Sequence, residues 1–553
     1  MHASLRRRER AAFGLTQPAL AGRYARGSGG FTATRGEMDL SHSTSTAIAD
    51  DVDPVPAALP DKAPPAITRA TFLLLCLVLA IAGGLRVWEI GSASFWLDEY
   101  LTVALSSGHG FTQMALPNGE IIEAPTNYIN LDVARPWYEM WTNASGDVHP
   151  PLFYLVLRLW REIVPDSDAW IRGLPALFSV IAIGLLFLAI HTQAGPAPAL
   201  WASALMALAG VQIEYAQECR SYPLMLVCLL GTAAAVLRIE RYGFHWLRGI
   251  AVGIGALGAA MTHYLAFPIL IVIGIYVLWQ LRGRDRINTV ICFAVAGVGF
   301  CVLWMPWMLQ QKDGFWGKIS FTKEPAWTLG LWLYSWVSLP TRFLVNSTSA
   351  SPMARWCGVA WFILPALLLV RQPRSARPLL FWWMWLTLGA VAVAIGDLGR
   401  NGRLLSISRY TLMVSPGVYA LGGLMFAHLR GWRRHVIPVL LCAGCIAALP
   451  GAYLRYKADW RSFGAYVAGH LSRDDMLVMY DPPDVAWRIR CDLIGMQYYD
   501  RALDVPIVLL SAPPGDRIEQ RIRRARAIWF FTSYPGATVE PILPGARVVE
   551  RFS

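Results

Sequence analysis

ATFLLLCLVLAIAGGLRVWEIGSASFWLDEY, residues 70–100, holds a run of apolar residues long enough to cross a bilayer, followed at once by two adjacent carboxylates, Asp98 and Glu99. An unpaired carboxylate is costly to bury, so acids beside membrane spans are placed for a reason more often than by chance. Composition extends the first half of that reading to the whole chain. Of its 553 residues, 55% are hydrophobic and only 16% charged, where a soluble protein carries about a quarter. Mean hydropathy is +0.41. The 24 Trp fit a membrane protein, because Trp favours the interfacial belt. The net charge of +12 has no RRM, zinc-finger or helix-turn-helix pattern beside it, so nucleic acid is not an expected partner. The nine Cys lie mostly inside apolar runs, without paired ligand spacing or a disulfide framework.

Taking apolar runs of span length as transmembrane gives about eleven helices. They fall near 70–90, 170–191, 198–216, 222–239, 248–263, 265–281, 288–309, 354–371, 378–396, 410–428 and 435–453. The Trp-rich stretch WTLGLWLYSWVSL, 327–339, reads as a further dip into the membrane. Residues 1–66 are Arg-, Ser-, Gly- and Pro-rich without apolar period, and are expected to form a disordered cytoplasmic tail. No signal peptide is expected, and Met38 would serve as a start as well as Met1.

The positive-inside rule orients the chain. Arg6, Arg7, Arg8 and Arg10 precede the first span, and the even-numbered connections RIERYGFHWLR (238–248), LRGRDR (281–286), RQPRSAR (371–377) and HLRGWRR (428–434) are basic. The first loop, 91–169, then faces outward. Up to His149 it holds Asp98, Glu99, Glu120, Glu123, Asp132, Glu139 and Asp147 against Arg135 alone. The expected division is a transmembrane domain, 67–455, followed by an outward-facing unit, 456–553. In the latter, helical patterns (460–471, 484–499, 515–525) alternate with strand-like runs: 476–480, 506–510, 527–531 and 547–552. It has no Gly-rich phosphate loop and reads as accessory.

Five stretches carry chemistry, and all fall on the outward side. Asp98 and Glu99 begin an interfacial helix, on which neighbours point about 100° apart, so one acid faces the reaction and the other braces. In GDVHPPLFYLVLRLWREIV (146–164), Pro150 and Pro151 open a helix too short to span, with Asp147 and His149 at its entrance. EYAQECRSYPLML (214–226) crowds Glu218, Arg220 and Tyr222 into one turn; the Arg220 fork suits phosphate oxygens. MTHYLAFP (261–268) brings His263, and SISRYTLMVSP (406–416) brings Arg409 and Tyr410. Each alone has an ordinary structural reading: a helix cap, a charge pair closing a turn, an interfacial anchor. No ionisable residue sits at the middle of a span, which disfavours an ion pump or proton-coupled transporter.

With these residues in hand, the chain resembles the membrane glycosyltransferases of the GT-C fold, in particular the bacterial family 39-like group related to protein O-mannosyltransferases and lipid A aminoarabinose transferases. FWLDE (95–99) is similar to that group's first-loop acidic motif and DVHPPLFY (147–154) to its second. AQECRSY (216–222), THY (262–264) and SRY (408–410) resemble later ones, and KADWRSFGAYV (457–467) resembles the segment opening the C-terminal unit. Cys219 stands where Ala is commoner. The resemblance implies a polytopic α-helical membrane fold with a small C-terminal α/β domain. It implies a sugar donor on a polyprenyl monophosphate, used on the outer face of the cell (inner) membrane, and a hydroxyl acceptor on a glycan, lipid or protein. It implies Asp98 as general base with Glu99 beside it. Arg220, His263, Arg409 and Tyr410 would hold the donor phosphate, and Asp147, His149, Glu218 and Tyr222 would shape the substrate pocket. A divalent metal at Asp98, Asp147 or His149 stays an open alternative, since these are permissible ligands without diagnostic spacing. The rival reading is a transporter or flippase of a lipid-linked saccharide.

Overall fold

The structure, a computed structural model, describes residues 66–553 except 111–114, 144–146, 148, 315–328, 347–351, 401, 455–456, 458, 484, 501–502, 534–538, 540–541, 544 and 546–553. The expected N-terminal tail (all but its last residue) and the expected strand 547–552 lie outside the described residues.

Every one of the eleven apolar segments is helical, but their lengths differ from a uniform set of spans. Among the described residues, six helices are long and apolar enough to cross a membrane: Arg69–Val87, Asp168–Ala194, Tyr222–Tyr242, Gly283–Leu303, Arg377–Gly399 and Arg433–Tyr453. Trp246–Thr262 and Ala266–Gln280 are apolar but shorter. The segment expected at 198–216 is broken into Pro196–Leu208 and Gly210–Ala216, bent by 61°. The cause is local. Ala209 is extended at the break (φ −67°, ψ 117°), which leaves carbonyls of the last turn without helical partners. Arg86, fully buried, takes them: its NH1 donates to the Ala207 carbonyl at 3.1 Å and its NH2 to Met206 at 3.3 Å, while Nε donates to Ser179 Oγ at 2.7 Å. The segment expected at 410–428 is also broken, into Ser408–Thr411, a 3-10 turn and Ser415–Phe426.

Small residues set how closely the helices approach, as expected where lipid supplies no hydrophobic drive between helices. A β-carbon at Gly423 would collide with the Pro198 carbonyl oxygen and stand 2.8 Å from the Ala202 nitrogen. One at Gly255 would meet Thr232 Oγ1 and lie 3.0 Å from the Cys228 carbonyl oxygen.

The connections at 191–198, 238–248, 281–286 and 371–377 meet at one end of the bundle. Arg241 donates to the Thr192 carbonyl, Arg377 pairs with Glu240 at 2.9 Å, and Asp285 accepts from the Phe244 backbone at 2.9 Å. The five chemistry-bearing stretches meet at the other.

The C-terminal elements form a four-stranded sheet in the order β1-β3-β2-β4. β2 (Met476–Tyr480) is central and parallel to β3 (Ile507–Leu510) and β4 (Ile528–Phe531). Helices Trp487–Tyr499 and Asp516–Arg523 make the crossovers that parallel strands require. β1 (Ile121–Ile122) comes from the first loop and pairs antiparallel with β3. Tyr100, Phe153, Leu157, Trp460, Leu477, Ile494 and Ile507 share one buried core. The sheet unit is thus packed directly on the first-loop helices Leu97–Ser106 and Leu152–Ile163.

Gly423→Val should lower the melting temperature of the detergent-solubilised protein, since overpacking a helix contact costs about 1–3 kcal/mol. Gly444→Ala, whose β-carbon meets nothing within 4 Å, should leave it unchanged.

Candidate functional site

The helix Leu97–Ser106 begins with its two acids in the first turn, where the positive end of the helix dipole favours them. They point apart, as helical geometry requires. Glu99 is fully buried. Its Oε1 accepts from Arg172 Nε at 2.7 Å and from the Cys219 backbone at 3.0 Å. Its Oε2 accepts from Lys457 Nζ at 2.6 Å, Arg172 NH2 at 2.9 Å and the Trp96 backbone at 3.3 Å. Burial alone would raise this carboxyl; the Arg172 guanidinium and then the Lys457 ammonium outweigh it and hold Glu99 well below the usual carboxylate range. For Lys457 the balance differs: burial pushes it down more than Glu99 and Glu218 lift it. Glu218 Oε1 lies 3.9 Å from Lys457 Nζ, so Glu218 belongs with this cluster.

Asp98 faces the other way, with its side chain 25% exposed. Its Oδ2 is 3.2 Å from Arg409 NH1, and the Arg409 guanidinium lies 5.6 Å from the Trp96 ring and 5.0 Å from that of Tyr410. Arg220 NH1 donates to Thr102 Oγ1 at 2.9 Å and to the Asp98 carbonyl at 3.3 Å. Its NH2 points at His149 Nε2, 3.5 Å away. A guanidinium can only donate, so the lone pair of His149 is on Nε2 and the ring proton on Nδ1, 3.5 Å from Asp147 Oδ2. Asp147 does not cap the following helix. It accepts from Tyr154 one turn in, at 2.5 Å, and with burial this raises the Tyr154 hydroxyl well above its ordinary value.

His263 ends the helix Trp246–Thr262, its ring 4.7 Å from His149 and 5.4 Å from Tyr222. Its Nδ1 accepts from the Leu265 backbone at 3.1 Å, which puts the proton on Nε2. Among the described residues, the buried nitrogens of this group without a hydrogen-bond partner include His263 Nε2, Arg220 Nε and His149 Nδ1.

The structure therefore brings Asp98, Arg220, Arg409, Tyr410, Asp147, His149, Tyr222 and His263 into one cluster. It sets Glu99 in the ion-pair network behind it, paired with Arg172 and Lys457, and places Glu218 with that network and not in the cluster. Among the described residues no three His, Cys, Asp or Glu side chains gather in a way that could hold a metal ion. Asp98, Asp147 and His149 do not make such a set. Sequence reasoning missed Arg172 and Lys457. Arg172 had a signal: a cation in the first turns of an apolar helix demands an anion.

Fold and cluster together define a polytopic membrane protein whose polar chemistry is concentrated at one end of its bundle. Residues 148–309, which include His149, Arg220, Tyr222 and His263, match the family model described as dolichyl-phosphate-mannose-protein mannosyltransferase. The mannosyltransferase-like resemblance drawn from the motifs agrees with this match over that segment, which is less than a third of the chain. Among solved structures, the chain is similar to the Archaeoglobus fulgidus oligosaccharyltransferase in complex with Zn and sulfate, at 12% identity and TM-score 0.48 over 76% of this chain and 61% of that one. It is also similar to ArnT from Cupriavidus metallidurans bound to undecaprenyl phosphate, at 14% identity and TM-score 0.34 over 84% of this chain and 90% of that one. The chain thus spans less than two thirds of the oligosaccharyltransferase. No curated protein sequence gives a significant match.

The Glu99 network sets a pH dependence. A carboxyl held down to about 2, from an ordinary 4.5, contributes stability that is fully present above about pH 4.5 and is lost as pH falls toward 2. Glu99→Gln should flatten that part of the melting-temperature profile. At neutral pH it should also destabilise by about 3–5 kcal/mol, because Arg172 and Lys457 are left buried without their anion.

Proposed function

We propose that the protein is an inverting glycosyltransferase that moves a sugar from a polyprenyl-phosphate carrier to an acceptor hydroxyl on the outer face of the cytoplasmic membrane. One observation carries the reading. Two buried donors, Arg220 Nε and His263 Nε2, lie without acceptors beside a part-exposed carboxylate that Arg409 already flanks. Buried donors are rarely left unpaired, so an oxygen-rich anionic group is their expected partner.

Chemistry follows from that placement. Asp98 takes the proton of the acceptor hydroxyl as its oxygen attacks the anomeric carbon. The bond from that carbon to the phosphate oxygen breaks on the opposite face, and the configuration inverts. The departing phosphate gains negative charge, which Arg220, Arg409 and the neutral His263 N–H stabilise. Fixed donors in a water-poor site make this a large contribution. Tyr410 and Trp96 hold the Arg409 plane, and Asp147 holds His149 beside Arg220. The acceptor is a glycan, lipid or protein hydroxyl. The basic connections gathered at the opposite end of the bundle support an outward orientation of the cluster.

Purified protein supplied with a polyprenyl-phosphate sugar and an envelope extract should transfer labelled sugar. Asp98→Asn should reduce transfer by roughly 10²–10⁴-fold with an unchanged melting temperature. A variant that transfers at the wild-type rate would remove Asp98 from the base role. Retained transport of the lipid-linked saccharide across vesicles, with no transfer by either protein, would favour a flippase instead.

A further inference from the structure

A second buried cation lies near this cluster and takes no part in the chemistry above. Arg342, on the short helix Leu339–Val345, is 2% exposed. Its NH2 donates to the carbonyls of Leu405 at 2.8 Å and Ser335 at 3.1 Å. Its Nε and NH1 are buried with no partner, and among the described residues no carboxylate pairs with it. Arginine carries five N–H donors and stays charged in proteins, so three donors and a full positive charge are left uncompensated. Arg86 shows that this chain can satisfy a buried guanidinium with backbone carbonyls and a hydroxyl, using all three nitrogens. Arg342 lacks that arrangement.

Its surroundings specify what would complete it. The tyrosines Tyr334 and Tyr215 are close enough to interact with it electrostatically. Tyr215 lies on the helix Gly210–Ala216, which packs on the helix carrying Arg342, and its ring is 5.5 Å from that of Tyr222 in the proposed reaction centre. Above Arg342 runs the helix Leu329–Val337, whose Ser335 carbonyl it holds. This helix has the composition of a bilayer-interface element, with Leu331 and Leu333 about half exposed and Trp332 packed on Trp336. Trp332 Nε1 is a further buried donor without a partner. Unmet donors on and beneath an interfacial helix call for an anionic oxygen at headgroup depth.

We infer that Arg342, bonded to the helix Leu329–Val337, forms a second binding site for a lipid-borne phosphate, distinct from the Asp98 cluster. The two sources of that chemistry are the polyprenyl carrier, waiting to enter or leave the reaction centre, and a bilayer phospholipid. The carrier assignment rests on the transferase reading; the phosphate site itself does not.

Native mass spectrometry of the full-length protein, titrated separately with polyprenyl phosphate, phosphatidylglycerol and inorganic phosphate, tests this. Wild type should bind two polyprenyl phosphates. Arg342→Met should weaken one of the two by about 10–100-fold, the loss expected for charged hydrogen bonds, and leave the other intact. Arg220→Met should do the reverse. A second, Arg342-dependent adduct with phosphatidylglycerol in place of polyprenyl phosphate supports the site and assigns it to the bilayer. Should Arg342→Met not fold, Arg342→Lys keeps the charge and reads the same loss through fewer donors. Lipid adducts that are identical in wild type and the Arg342 variants overturn the proposal. If Arg220→Met also leaves every adduct unchanged, the donor reading fails as well, and the two failures are told apart by which variant is silent.

Discussion

The ion cluster around Glu99 is the constraint on which the site depends. One carboxylate accepts from Arg172, Lys457 and two backbone amides, and it does so with no exposure to solvent. Those partners come from a membrane span, the junction to the C-terminal unit, the turn carrying Arg220 and the N-cap of its own helix. Arg172 also donates to the carbonyls of Ile90, Ala93 and Ser94, fixing the path of the chain into the helix. Since successive residues diverge by about 100° around a helix, immobilising Glu99 on one side presents Asp98 on the other. The same Glu99 oxygen that binds Arg172 Nε also binds the Cys219 amide, next to Arg220 in the chain. One buried anion thereby orients both the proposed base and the proposed phosphate ligand.

The guanidinium groups of this end of the molecule fall into two kinds. Arg86, Arg161 and Arg172 are fully paired with carbonyls, hydroxyls or carboxylates and act as internal braces. Arg220 and Arg342 are equally buried yet keep donors with no acceptor. Leaving such donors empty is costly, and a chain that elsewhere solves the problem with backbone carbonyls has the means to avoid it. The contrast within one molecule separates cations that hold the fold from cations placed to hold something else.

Much of this was legible in the sequence, and the exceptions have physical causes. Helix positions follow from long apolar runs, which is why all eleven segments are helical. The break at Ala209 did not show, because Ala favours helices and the carbonyls it frees are taken by Arg86, more than a hundred residues away. The helices and three strands of the C-terminal unit were legible from their alternation. β1 was not: two isoleucines make no pattern, and only pairing with β3 creates the strand. The motifs that converge on Asp98 are local, so their grouping at one end followed from topology alone. The partners of Glu99 lie 73 and 358 positions away. Proximity of that kind is a property of the folded chain, and nothing in the local spacing of LDEY encodes it.

The C-terminal unit reads differently for the same reason. Without a phosphate loop it looks accessory, yet it is fastened to the first loop and to the helix carrying Asp98. Lys457 supplies a cation to Glu99, β1 of the first loop completes its sheet, and Tyr100, two residues from Asp98, packs against Gly495 and donates to Asp492. Burial, reinforced by Asp481, raises Asp492 to about 6, and this carboxyl accepts from the first-loop helix through Tyr100. A domain that only decorated the membrane bundle would need none of these contacts. Their placement on the turn that holds the two acids makes the geometry of Asp98 a joint product of the membrane helices and the unit packed over them.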